Sequence, residues 1–233
     1  MKRILKRTVA VFFTIVGLYL LLLWCPNPLF AHQYSYQNFV VYSDQKISPE
    51  IDFVLEDVEE RLSLSELYEE SDVFHIYICN DNWRFVFFTR NPNAGGVVNF
   101  LVSPNVFIRE SNISENVIIP PNEWMFETIS RPLSYFIAHE ATHSLQRKID
   151  PFLVVKTPIH ILEGYADYIG KCKNFDFEVF KNDYLNEDFK MNPANGLYNK
   201  YHLYVAYLVE KKGYDFEQLV REEPSMEVLK ELK

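Results

Sequence analysis

The sequence predicts an α+β fold, and three observations carry that expectation. Short, β-rich segments with alternating apolar residues are confined to the part of the chain before about residue 120. Beyond Arg131 the apolar residues recur at helical spacing almost without a break. One of these later helices carries His139-Glu140-Ala141-Thr142-His143, a pattern that works chemically only on a helix.

The elements follow in order. Lys2, Arg3, Lys6 and Arg7 precede an uncharged run from Thr8 to Trp24, which reads as a targeting segment over residues 1–32 ahead of a single domain over 33–233. Basic residues stay on the cytoplasmic side, so the domain is expected outside the cytoplasm. The run is longer than a usual signal-peptide core, and no A-x-A pattern precedes Ala31, so a retained single-span signal-anchor is favoured. Cleavage of that segment, giving a secreted chain, stays open. Gln33 to Ser43 is an extended lead-in. Ser48-Pro49 opens a helix whose Ile51, Val54, Leu55, Val58 and Leu62 form one stripe. Val73 to Cys79 is a strand, and Asp81 to Arg90 suits a short helix or a buried strand. Gly96–Val102 and Val106–Ile108 form a hairpin or two meander strands, and Val117–Ile119 adds a short strand ended by Pro120-Pro121.

Leu133 to Lys148 contains no internal Pro or Gly, and Leu133, Phe136, Ile137, Ala141 and Leu145 give it an apolar stripe. Thr157-Pro158 reads as the N-cap and first turn of the next helix, and Leu197 to Lys212 as a later one ended by Gly213. The sheet is expected to be small and to rest on the helix of residues 133–148.

Composition narrows the partners. A net charge of −9 argues against nucleic acid and against electrostatic attachment to anionic lipid. There is no Gly-rich phosphate loop, hence no expected nucleotide, and Ala94-Gly95-Gly96 reads as a turn. Of three cysteines, Cys25 falls at the membrane edge; Cys79 and Cys172 can either bond or stand as separate thiols.

Histidines four apart on a helix point the same way, so His139 and His143 can close on one metal ion. Glu163, on the following helix, would complete three protein ligands and leave one of four zinc positions free. Glu140 leans toward the same cleft, where it can take a proton from water. Asp167, one turn after Glu163, can accept the outer N–H of a ligating imidazole.

At these residues the chain resembles the gluzincins, zinc metallopeptidases of the H-E-x-x-H…E type. The likeness is strongest to bacterial peptidase MA-like domains, whose second motif is approximately E-G-x-A-x-Y, against Glu163-Gly164-Tyr165-Ala166-Asp167-Tyr168 here. It covers Arg131 to Tyr168 and extends more loosely to Val220. The resemblance implies a zincin-like fold: a small, mostly antiparallel sheet packed on the motif helix, then a helical C-terminal half. It implies one Zn2+ on His139, His143 and Glu163, with Glu140 as general base, Asp167 orienting a ligand, and a peptide or protein as substrate. It further implies an edge strand that receives the substrate backbone, for which Val97, Val98 and Asn99 are the candidates. Relatives often stabilise the oxyanion with Tyr or His from a helix after the ligand Glu. Tyr198, Tyr201, His202 and Tyr204 crowd that region; Tyr201 is the choice, with Tyr198 next. His160 departs from the family, which commonly has Trp there, and is expected to pack or to line the rim.

The expectation is therefore a membrane-anchored or exported zinc metallopeptidase, an endopeptidase by preference. Two other readings stay open: a catalytically inactive, zinc-stabilised binding or regulatory module at the cell envelope, and an adhesion or envelope-structure domain without metal.

Overall fold

The structure is a computed structural model, and it describes residues 2–99, 102–121, 131–172, 175–192 and 197–232. Helix α1 covers Lys2–Trp24. Strands β1 (His32–Tyr36) and β2 (Phe39–Ser43) form a hairpin where the sequence promised only an extended lead-in. Helix α2 (Ile51–Leu62) buries the predicted stripe and leads to β3 (Phe74–Cys79). The ambiguous stretch is helix α3 (Asn82–Thr89). Strands β4 (Gly96–Val98) and β5 (Val106–Arg109) pair antiparallel as expected. Phe100 and Leu101, within the strand predicted over Gly96–Val102, lie outside the described residues. Strands β6 (Ser111–Asn112) and β7 (Val117–Ile118) make a separate small ribbon.

The main sheet has the order β1-β2-β3-β5-β4, and it is mixed rather than mostly antiparallel. Only the outer pairs are antiparallel; β2–β3 and β3–β5 run parallel. The cause is topological, since parallel neighbours need a crossover and helices α2 and α3 supply it. The class remains α+β, because the later helices follow the sheet rather than alternating with it.

Strand alternation divides the core. Phe39, Val41, Ile76, Ile78, Val106 and Ile108 share one cluster with α2 and the later helices. Tyr42, Tyr77, Cys79 and Phe107 share the other with Phe85 and Phe88 of α3. Leu23 and Phe30 are buried in that second cluster. The segment expected to stand apart over residues 1–32 thus contributes its C-terminal end to the domain. Cys25, Cys79 and Cys172 are free thiols.

The helical half comprises α4 (Leu133–Gln146), α5 (Pro151–Lys156), α6 (Ile159–Lys171), α7 (Phe177–Leu185), α8 (Asn199–Ala206) and α9 (Phe216–Glu222). Helix α4 is more than amphipathic: every residue except His143 and Ser144 is buried. The sheet, α2 and α6 all pack against it, which leaves the helix little exposed surface. Thr157 ends α5 instead of capping α6, its hydroxyl donating to Leu153 O at 3.1 Å, and Pro158 leads into α6. Helix α8 starts at Asn199 and not at Leu197, because Tyr198 adopts a left-handed backbone (φ +54°). It runs on through a π-helical turn over Tyr207–Lys211 to end at Gly213.

Gly164 explains how α8 reaches the motif helices. A Cβ at this position would lie 2.6 Å from Tyr201 O and 2.8 Å from Val205 Cγ2. Only a bare backbone lets α8 cross α6 so closely, and that crossing carries Tyr198 toward Glu163.

Candidate metal centre

Helix α4 presents His139 and His143 one turn apart, and α6, packed on it, presents Glu163 to both. His139 Nε2 lies 3.3 Å from Glu163 Oε2, and His143 Nε2 lies 3.6 Å from Glu163 Oε1. One donor atom from each of the three residues falls within 4.8 Å of the other two. A tetrahedral ion with bonds of 2.0–2.1 Å holds its ligand atoms about 3.4 Å apart, so the donor types suit zinc and the imidazole–carboxylate distances lie near that spacing. Burial opposes the charge on His143, yet the Glu163 carboxylate outweighs it and lifts the imidazole to about 9. Burial likewise opposes the charge on Glu163, and the two imidazoles hold it far below the usual carboxylate range. The attraction that keeps a proton on His143 is available to a divalent cation, which displaces that proton on binding.

Glu140 is buried beside these groups. Its Oε2 accepts a hydrogen bond from the backbone N–H of Val98 at 3.0 Å. Burial raises its proton affinity above that of an ordinary glutamate, against the opposing pull of His139, His143 and the Val98 N–H.

The contact depends on Gly96, where a Cβ would sit 2.7 Å from Glu140 Cγ and 2.9 Å from Ile108 Cδ1. Gly96, read as the end of the turn and the start of the strand, is a strand residue that lets the sheet approach α4. Gly95 O accepts from Arg109 N at 3.1 Å. By antiparallel alternation, Gly96 and Val98 then turn their N–H and C=O groups away from β5 toward the open side.

The proposed substrate residues separate on inspection. β4 is an edge strand of the main sheet, and Val98 borders Glu140. Val97 packs toward the cluster of α3. Asn99 is not in the strand: its carbonyl accepts from the N–H groups of Val102 and Ser103 in a turn, and its side chain donates to Phe88 O.

Asp167 is fully buried but does not bond a histidine of the motif directly, contrary to expectation. Tyr135 stands between them. Its hydroxyl donates to Asp167 Oδ1 and lies 3.4 Å from His139 Nδ1. Asp167 also accepts from Lys171 and from His202 Nδ1, and lies 3.9 Å from the Arg131 guanidinium. Burial works against its charge, but Lys171, His202 and Arg131 hold the carboxyl far below the usual range. The reason for the detour is steric: an aromatic ring one turn before His139 fills the space between α4 and α6.

Gln146 is the outer partner of His143. Its Oε1 lies 3.0 Å from His143 Nδ1, and its Nε2 donates to Leu162 O at 2.9 Å. Sequence reasoning missed Tyr135, Gln146 and Lys171. Each stands three or four residues from a predicted site residue on the same helix, and that spacing was the available signal.

Tyr198, the second choice for oxyanion donor, is nearer the site than Tyr201. Its ring stacks 6.1 Å from that of His139, whereas Tyr201 lies beyond it, stacked against Tyr198 at 6.0 Å. Burial raises the Tyr198 hydroxyl pKa, and Glu163 and Glu140 add to the rise. Its left-handed backbone is a costly state for a residue with a side chain, of the kind that gathers at functional sites. His160 packs against Tyr204 at 5.1 Å between ring centroids.

Neither protein-family models nor curated proteins match this chain.

Proposed function

We propose that this protein is a zinc-dependent peptidase of the cell envelope, carried by its N-terminal apolar helix. The observation that carries the reading is the meeting of His139, His143 and Glu163 around one point, with Glu140 buried alongside and an edge strand facing it.

His139, His143 and Glu163 would hold the zinc, which when bound would supply a Lewis acid that lowers the pKa of water. The chain's own residues do the rest. Glu140, its proton affinity raised, takes a proton and hands it to the departing amine. The Gly96 N–H and C=O and the Val98 C=O face the open side of β4 and are offered to an extended peptide, which adds as a further strand. Tyr198 donates a hydrogen bond to the carbonyl oxygen under attack. Tyr135 and Gln146 hold the two imidazoles in orientation.

One observation favours a second reading, a zinc-stabilised binding module. Val98 already occupies Glu140, as it would if this carboxylate only fastened β4 to α4. The test is to purify the full chain in detergent, measure zinc stoichiometry, and incubate it with a mixed peptide library beside Glu140→Gln. One zinc per chain with cleavage lost in Glu140→Gln supports the peptidase. One zinc with no cleavage in either supports the binding module, and a chain that takes up no zinc rejects both.

A further inference from the structure

The C-terminal end of α1 is built into the domain. Tyr19 donates its hydroxyl to Phe87 O at 2.9 Å, and Arg90 donates to Tyr19 while its guanidinium lies over the ring. Ser103 and Asn105, both buried, donate to Leu23 O at 3.1 and 2.9 Å, and Asn105 also reaches Trp24 O. These are carbonyls that a helix end leaves unpaired. Among the described residues, none of the helix before Tyr19 has such a partner, and Val9, Val11, Phe12, Phe13, Ile15 and Leu18 are exposed. Lys6–Trp24 is long and apolar enough to cross a membrane. Trp24 and Trp83, both exposed, are the residue type that settles at the headgroups. Tyr19 lies about 7.5 Å back along the helix from Trp24, so with α1 in a bilayer the end of α3 that Tyr19 binds is held against the membrane.

Two short routes lead from this junction to the metal centre. In one, β4 passes Glu140 at Val98, and the next residue, Asn99, holds Phe88 O at the end of α3 that binds Tyr19. In the other, Ser103 holds Leu23, and the adjoining Pro104 O accepts from Ser144, the neighbour of His143. A strand added along β4 therefore has one end at the anchor.

We propose that the site is fixed at the membrane surface and acts on the membrane-proximal segment of other membrane-tethered polypeptides. This rests on the zinc-peptidase reading and adds the substrate class. A chain emerging from the bilayer reaches β4 within its first few residues, while a segment far from the bilayer must fold back to do so.

The test uses the full chain in lipid vesicles whose headgroups carry a fluorescent dye, with Co2+ as the probe. Energy transfer from dye to Co2+ reports their separation, and His143→Ala supplies the background. The expected result is quenching that depends on His143 and falls at least twofold in the double variant Arg90→Ala/Asn105→Ala, with Co2+ stoichiometry unchanged. Two tethered reporters then carry one library-derived cleavage sequence, either next to the span or beyond a 30-residue helical spacer of about 45 Å. The near reporter is expected to be cut at least tenfold faster. Bound Co2+ without quenching, or equal cutting of both reporters, overturns the proposal and leaves the peptidase reading intact. Absence of Co2+ binding removes both.

Discussion

The backbone N–H of Val98 and the carboxylate of Glu140 are joined across 3.0 Å, so the edge of the sheet and the motif helix meet at the proposed general base. Gly96 makes that meeting possible by leaving no carbon between them.

Gly96→Ala is predicted to push β4 off Glu140 and to misplace the base. A displacement of about 1 Å at a reacting group costs on the order of 10²-fold in kcat/KM. Overpacking should also lower stability by about 1–3 kcal/mol. Peptide-cleavage kinetics and urea denaturation check the two parts, and an unchanged kcat/KM would falsify the role given to this contact.

Tyr135→Phe keeps the ring and removes the hydroxyl linking His139 to Asp167. Zinc affinity is predicted to fall about 10–100-fold, the usual effect of losing an orienting partner. Competition with a chromophoric chelator measures it. Affinity equal to wild type means the hydroxyl serves Asp167 alone.

Tyr198→Phe is predicted to lower kcat about 10²–10³-fold with KM little changed, as removal of an oxyanion donor does. Tyr201→Phe, one ring further out, should stay within a few-fold of wild type. Steady-state kinetics on one library-derived peptide compare them directly, and the opposite ranking returns the donor role to Tyr201.

Stability should decline in mild acid through His202. Burial lowers this imidazole from the usual 6.5 to about 4, against the favourable hydrogen bond to Asp167. The unfolded chain takes up a proton near 6.5 and the folded chain only near 4. Between these values the unfolded state binds more protons, so folding stability drops as pH falls, by up to about 3 kcal/mol. Asp167, held far below its ordinary range, adds a further loss below the usual carboxylate pKa. Urea midpoints at pH 7.5 and 4.5 should differ for wild type and converge for His202→Asn.

The parts of this molecule that were legible beforehand are those fixed by spacing along one helix. His139 and His143 needed only the helical period, and the stripe of α2 needed no more. Glu163 was found through its own motif, Glu163 to Tyr168, and the helix start read at Pro158, although the short α5 intervenes after α4. Parallel pairing of β2, β3 and β5 was not legible, since nothing in a strand's own residues records the direction of its neighbour. Asp167 was placed on the right helix but given the wrong contact, because the width of the α4–α6 gap is set by Tyr135 and is not written in either motif. The placement of the Tyr198 ring against His139 was not legible, because helical periodicity assumes ordinary backbone and Tyr198 has a left-handed one. The end of α1 was set aside as a leader, although Leu23 and Phe30 complete an apolar cluster begun by Phe85, Phe88 and Phe107.

That shared cluster has a consequence for biosynthesis. Ribosomes make Leu23 and Phe30 before Tyr42, Tyr77, Phe85, Phe88 and Phe107, the buried aromatic residues of the cluster that encloses them. With α1 as the proposed membrane anchor, the second core closes only once this helix has come to rest in the bilayer, and protease protection of stalled nascent chains is predicted to appear after that step.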